Sequence, residues 1–150
     1  MKKVFFCILI VLISFVGLSK SLNLSFDDIT DYIYEFYDFN YSNGVYSGEG
    51  IGKGGNTNLI LKGTSSDITS IELQFYISKS STMNENSTNI MFLLLCNIFY
   101  NELDSIELLV NNILECLNTN VAKSTFYKGN KRVTVICEYS NYFEVHIRRK

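Results

Sequence analysis

The 150-residue sequence has no proline, no tryptophan and a single histidine. One histidine, with no Cys-x-x-Cys or Cys/His spacing beside it, leaves too few ligands for a zinc-type centre, so neither a metal nor a cofactor is expected. Positive charge is scarce too, with 13 Lys+Arg against 15 Asp+Glu. Nucleic-acid binding depends on an excess of positive charge, so that class of partner is not expected. No serine stands in a Gly-x-Ser-x-Gly turn, and strand periodicity puts His146 outside, between Glu144 and Arg148. Carboxylates are plentiful, but sequence spacing gives them no partner across a substrate. No catalytic constellation follows, and the chain reads as a non-enzyme.

Long apolar runs are also lacking. The first, Val4 to Val16, reads "VFFCILIVLISFV". It is shorter than the roughly 20 residues of a spanning helix. It follows Met1-Lys2-Lys3 and precedes Gly17-Leu18-Ser19-Lys20-Ser21, the three-part pattern of a secretory signal peptide cleaved after Ser19 or Ser21. Cys7 lies inside the run and no cysteine stands directly after it, which argues against a lipid-anchored N-terminus. The expectation is export to the periplasm or extracellular space, with residues 22–150 forming one domain and no integral span after cleavage. Without Lys2, Lys3 and Lys20, ten Lys+Arg remain against fifteen Asp+Glu.

Cys96, Cys116 and Cys137 remain after the leader, so one thiol must stay unpaired. All three fall on apolar faces. If a disulfide forms, Cys116 with Cys137 is the expected pair, joining a helix end to a strand. Otherwise all three act as small buried hydrophobes.

The stretch Ser47 to Asn56, "SGEGIGKGGN", resembles a phosphate loop at first sight. A Walker loop needs glycine at position 47 and Ser or Thr at 54, and the sequence has Ser47 and Gly54. Gly50, Gly52 and Gly55 match the dinucleotide pattern, but "NTNLILKG" follows where a helix should open. What remains is alternation: Gly48, Gly50, Gly52 and Gly54 on one side of an extended chain, Glu49, Ile51 and Lys53 on the other. A side-chain-free strand face lets another group approach closely. The alternatives are packing inside the domain, a mobile hairpin tip, or a surface for a partner.

Hydrophobic periodicity orders the rest. Ser25 and Asp28 read as a capping box opening a helix from about Phe26 to Phe39, with Asp27, Asp31, Glu35 and Asp38 on its solvated side. Asn43-Gly44 predicts a tight turn, and "NLILK" (58–62) and Ile71 to Ser78 read as strands. Ser78 to Asn89 reads as a loop. Ile90 to Tyr100, apolar nearly all round, predicts a helix buried at the centre of the domain. Ile106, Leu109, Val110, Ile113 and Leu117 predict an amphipathic helix, with Asp104 and Glu107 as a second capping box. Gly129-Asn130 joins two strands, and "YFEVHIRRK" reads as a last strand with Phe143, Val145 and Ile147 inward. The fold class is therefore α+β in the order α-βββ-αα-βββ, an antiparallel sheet of about five to six strands with helices packed on one face.

Residues 121–150 hold Lys123, Lys128, Lys131, Arg132, Arg148, Arg149 and Lys150 against Glu138 and Glu144. This basic end balances the acidic first helix or, as the functional alternative, meets an anionic surface. The functional expectation is an exported, non-enzymatic binding protein of the cell envelope or extracellular space, meeting a protein or envelope component through a polar sheet face. Tyr46, Tyr76, Tyr139 and Tyr142, with Glu49, Ile51 and Lys53, are its candidate contacts. The alternative is a secreted or periplasmic binder of small molecules or lipids, with the residues around Ile90 to Tyr100 lining a cavity.

Overall fold

Asn43 and Gly44 both adopt positive φ, 51° and 77°. That is the type I′ geometry whose twist matches a two-residue hairpin. The turn joins β1 (Tyr37–Ser42) to β2 (Val45–Gly50), with Ser42 opposite Val45. The computed structural model describes residues 21–99, 103–119, 123–139 and 141–150, so all but the last residue of the expected leader lies outside the described residues. After β2, a 3-10 turn at Gly52–Gly54 leads to β3 (Thr57–Thr64) and β4 (Asp67–Tyr76). Helices α2 (Ser81–Ile98) and α3 (Leu103–Thr119) follow, then β5 (Lys123–Lys128), β6 (Lys131–Tyr139) and β7 (Tyr142–Arg149). Gly129 has φ +55° between β5 and β6, the first central residue of a second tight hairpin.

All seven strands form one antiparallel sheet in the order β1-β2-β3-β4-β7-β6-β5. Two meanders therefore join where β4 meets β7, far apart in sequence. Ladder rows such as Leu59–Leu73–Val145–Val135 and Leu61–Ile71–Ile147–Val133 run across the middle of one face. These side chains are buried in one core with Ile90, Leu94, Leu95 and Ile98 of α2 and Ile106, Leu109 and Ile113 of α3. Fully burying each such side chain is worth about 1.5–3 kcal/mol, and this burial holds the sheet to its helices.

The α+β class and the antiparallel sheet are as expected; the element order and helix packing are corrected. Four strands precede the helix pair, and the sheet has seven strands where five to six were expected. The first helix, α1 (Phe26–Thr30), has the predicted capping box, Asp28 accepting from the Ser25 backbone N–H at 2.8 Å. It ends at once, with Asp31 extended and Tyr32 at φ +62°. A 3-10 turn at Tyr34–Phe36 then enters β1. Ile29, Ile33 and Phe36 fit a helical stripe that Tyr37 extends, whereas Tyr37, Phe39 and Tyr41 alternate as a strand does. Pairing with β2 favours the strand, because it puts all three rings on the apolar face.

Helix α2 starts at Ser81, inside the stretch expected to be a loop. Ser80 caps it, accepting from the Met83 N–H at 3.3 Å. It is not enclosed on all sides, since Phe92 and Leu93 are 45% and 40% exposed. It packs on α1 and on the Gly52–Gly54 turn, while α3 lies against β6 and β5. Asp104 sits in the first turn of α3 instead of capping it. Ser87, fully buried on α2, donates to the Lys53 carbonyl and to Asn56 Oδ1, tying helix to turn. Among the described residues, no helix is long and apolar enough to cross a membrane.

The glycine stretch divides. Gly48 and Gly50 sit on the apolar face of β2, opposite Phe39 and Tyr37. A Cβ on Gly48 would stand 2.6 Å from Phe39 Cε1, so the bare strand is the seat of that ring. Beyond Gly50 the alternation breaks, because Gly52 takes φ +54° and starts the 3-10 turn.

Candidate functional site: the polar face of the sheet

Strand pleating sends every second residue to the face opposite the core. There β2 contributes Glu49, β3 Asn58 and Ile60, and β4 Glu72, Gln74 and Tyr76. From β7 come Tyr142, Glu144, His146 and Arg148, and from β6 Arg132, Thr134 and Ile136. None of these side chains is buried; all are half-buried or exposed. The chain thus buries most of its apolar strand residues on one face and keeps a largely polar, ordered surface on the other.

Its centre is a hydrogen-bonded array built across β3, β4 and β7. Glu72 lies opposite His146, and Gln74 opposite Glu144 and Asn58. Asn58 donates to Gln74 Oε1 at 3.3 Å, and Gln74 donates to Glu72 Oε1 at 3.1 Å. Tyr142 donates its hydroxyl to Glu144 Oε1, and His146 Nε2 lies 2.7 Å from Glu144 Oε2. Burial alone would raise the Glu144 carboxyl. The hydrogen bonds from Tyr142 and His146, with the histidine's charge, outweigh it and hold the carboxyl below its ordinary value. Tyr142 moves the other way: burial first, then its bond to the Glu144 carboxylate, push its hydroxyl well above the ordinary tyrosine value. Donor atoms of Glu72, Glu144 and His146 lie within 4.8 Å of one another, three groups of metal-ligand type in one place. Both Glu144 oxygens are already engaged by Tyr142 and His146.

The expected contact residues fall in three places. Tyr76 and Tyr142 meet on the polar face, ring centroids 4.7 Å apart, and Tyr76 is 47% exposed. Glu49 shares that face on β2, opposite Asn58. Ile51 and Lys53 lie past the end of β2, both exposed, where the Ile51 N–H donates to the Phe36 carbonyl at 2.9 Å. Tyr46 is on the other face, its ring 4.5 Å from Phe26 and 4.4 Å from Tyr41. Tyr139 pairs with Tyr142 through the backbone, and its side chain lies outside the described residues. Sequence periodicity identified Glu72, Gln74, Glu144, His146 and Arg148 as outward-facing. Only the β4–β7 pairing makes them neighbours.

A separate apolar cavity of about 320 Å³ lies between α2, α3 and the Tyr76 end of the sheet. Phe75, Met91, Val110, Leu114 and Phe143 line it. Phe75 and Phe143 stack at 5.0 Å on its floor. Cys116 and Cys137 are both free thiols and lie near each other, where α3 packs on β6. Burial first, then the Cys116 neighbour, pushes Cys137 up to about 12. Compared with protein-family models, with curated proteins and with solved structures, the chain matches none.

Proposed function

We propose that this chain is an exported, non-enzymatic binding protein that meets a protein or envelope component through the polar face of its sheet. The observation carrying this reading is the division of labour between faces: the core consumes one, while the other holds a pre-ordered array of donors, acceptors and the Tyr76–Tyr142 pair. Ordering polar groups before contact lowers the entropy cost of binding, and tyrosine supplies broad amphipathic contact area. The leader-like residues 1–21 support export. An oxidising compartment would join Cys116 to Cys137, the two neighbouring thiols.

The test is a pull-down from envelope extract with the wild type and the surface variants Tyr76→Ala and Gln74→Lys. Recovery of one protein by the wild type, and its loss with either variant, is the expected result. Equal recovery by all three would sink the reading. The apolar cavity favours a second reading, a carrier of a small apolar ligand. Native mass spectrometry of gently purified protein would show a carried mass, and a clean apo mass would remove this alternative.

A further inference from the structure

At the Ser70 end of the same face, the ladder lines up cations. Reading across the sheet, Lys62 is opposite Ser70, Ser70 opposite Arg148, Arg148 opposite Arg132, and Arg132 opposite Tyr127. Like charges directly opposite each other destabilise a sheet. The Arg132–Arg148 pair nevertheless stands in a chain whose net charge is −2. Among the described residues, Lys62, Arg132 and Arg148 have no carboxylate within ion-pair distance. The carboxylates nearest in the ladder are engaged elsewhere, Glu72 with Gln74 and Glu144 with Tyr142 and His146.

This row floors two adjoining hollows of about 530 Å³ each, which share Arg132 and Arg148. One adds Lys62, Ser70, Arg149 and Lys150, the other Lys123, Tyr127 and His146, and neither has an acidic residue in its lining. Lys150 bends back so that its Nζ lies 5.4 Å from the Tyr127 ring centre, giving the groove an aromatic wall. A cleft lined by one sign of charge focuses the field and concentrates counter-ions. Guanidinium forks match phosphate oxygens in pairs, and the hydroxyl of Ser70 adds a neutral partner.

We propose that this groove is a phosphate-binding site, with Arg132 and Arg148 gripping the phosphate group of a phosphorylated small molecule or lipid headgroup. Lys62 and Lys123 set the surrounding field. The two hollows leave room for the rest of such a ligand beyond the phosphate itself. The inference deepens the reading of the polar face as the binding surface and rests on it.

Two arms test it at low salt with the purified protein: calorimetric titration with inorganic pyrophosphate, and co-sedimentation with phosphatidylcholine vesicles carrying phosphatidylglycerol. Arg132→Gln and Arg148→Gln are compared with Lys79→Gln, an exposed cation beyond the opposite end of β4. All three side chains are exposed, so the fold is expected to survive each change. Binding in at least one arm is expected, weakened about tenfold by either arginine variant, the weight of one charge-assisted contact. Lys79→Gln should leave it within about twofold, and rising salt should weaken it. Binding of pyrophosphate alone identifies a soluble phosphate ligand, and binding of vesicles alone a headgroup. No binding in either arm, or equal weakening by Lys79→Gln, overturns the proposal. If the Tyr76-dependent pull-down survives that result, only the phosphate site falls.

Discussion

Replacing Gly48 with alanine tests why the glycine stretch is there. An ideal Cβ at this position lies 2.6 Å from Phe39 Cε1, 2.9 Å from Cδ1 and 3.1 Å from Cζ. Carbon atoms settle near 3.5–4.0 Å, so the ring would have to retreat by about 1 Å. It has little freedom to do so. Phe26 packs edge-on at 5.2 Å, Tyr34 stacks at 5.5 Å and Tyr37 leans in at 5.6 Å. Overpacking of this kind costs about 1–3 kcal/mol. Alanine recovers about 0.5–1 kcal/mol of the entropy that glycine loses on folding. The expected net loss is about 1–2 kcal/mol for Gly48→Ala and more for Gly48→Val. Urea unfolding reads this as a lower midpoint at unchanged slope. In a Phe39→Ala background the cost of Gly48→Ala should vanish, so the double-mutant cycle should show coupling of at least about 1 kcal/mol. A Gly48→Ala protein as stable as wild type, or the same loss with and without the Phe39 ring, would refute the reasoning.

Three further outcomes follow from the same geometry. Gly63 sits at the β3 bulge with φ +137°, and a Cβ there would lie 2.2 Å from the Asp67 carbonyl oxygen. Gly63→Ala should therefore cost at least about 2 kcal/mol in thermal unfolding, and a neutral result would contradict the strain. The Glu144 carboxyl is held below its ordinary value in the fold, so it adds stability above its unfolded value of about 4.5, stability that is lost as pH falls through the lower folded value. The stability gap between wild type and Glu144→Gln should shrink as pH is stepped from 6 towards 3, and a gap constant over that range would count against the Tyr142–Glu144–His146 network. Peptide mapping without reductant, on protein recovered from an oxidising compartment, should find Cys116 joined to Cys137 and Cys96 free. A bridge that includes Cys96 would overturn that pairing.

What was legible in the sequence was local. The strict alternation of Ile71 to Ile77 and Phe143 to Ile147, the Asn43-Gly44 turn and the Ser25–Asp28 box each depend on residues within one element or turn, and the structure has them all. The misread segments are those whose structure is decided by contacts outside the segment. Tyr37, Phe39 and Tyr41 become a strand through pairing with β2, where Gly48 leaves room for the Phe39 ring and Tyr46 packs against Tyr41. The start of α2, rich in Ser, Thr and Asn, has weak intrinsic helix preference. It is held by the Ser80 cap and by Asn84, whose Oδ1 accepts from the Ser78 N–H at 2.7 Å and from Asn56 Nδ2 at 3.1 Å. The polar array needed still more. Glu72 and His146 are opposite neighbours only because the second meander returns to lie beside β4, and no local pattern encodes that pairing. The same return sets Arg132 and Arg148 side by side, where the sequence showed only a basic C-terminal segment.

The central claim is that the polar sheet face is the working surface. Site-specific photo-crosslinking in the producing cell tests it most directly, with the crosslinker placed at Gln74 or Thr134 on that face and at Glu107 or Glu115 on the exposed side of α3. The account predicts a reproducible adduct from positions 74 and 134 and none from 107 and 115. Adducts only from the α3 positions, or none from any position, would contradict it.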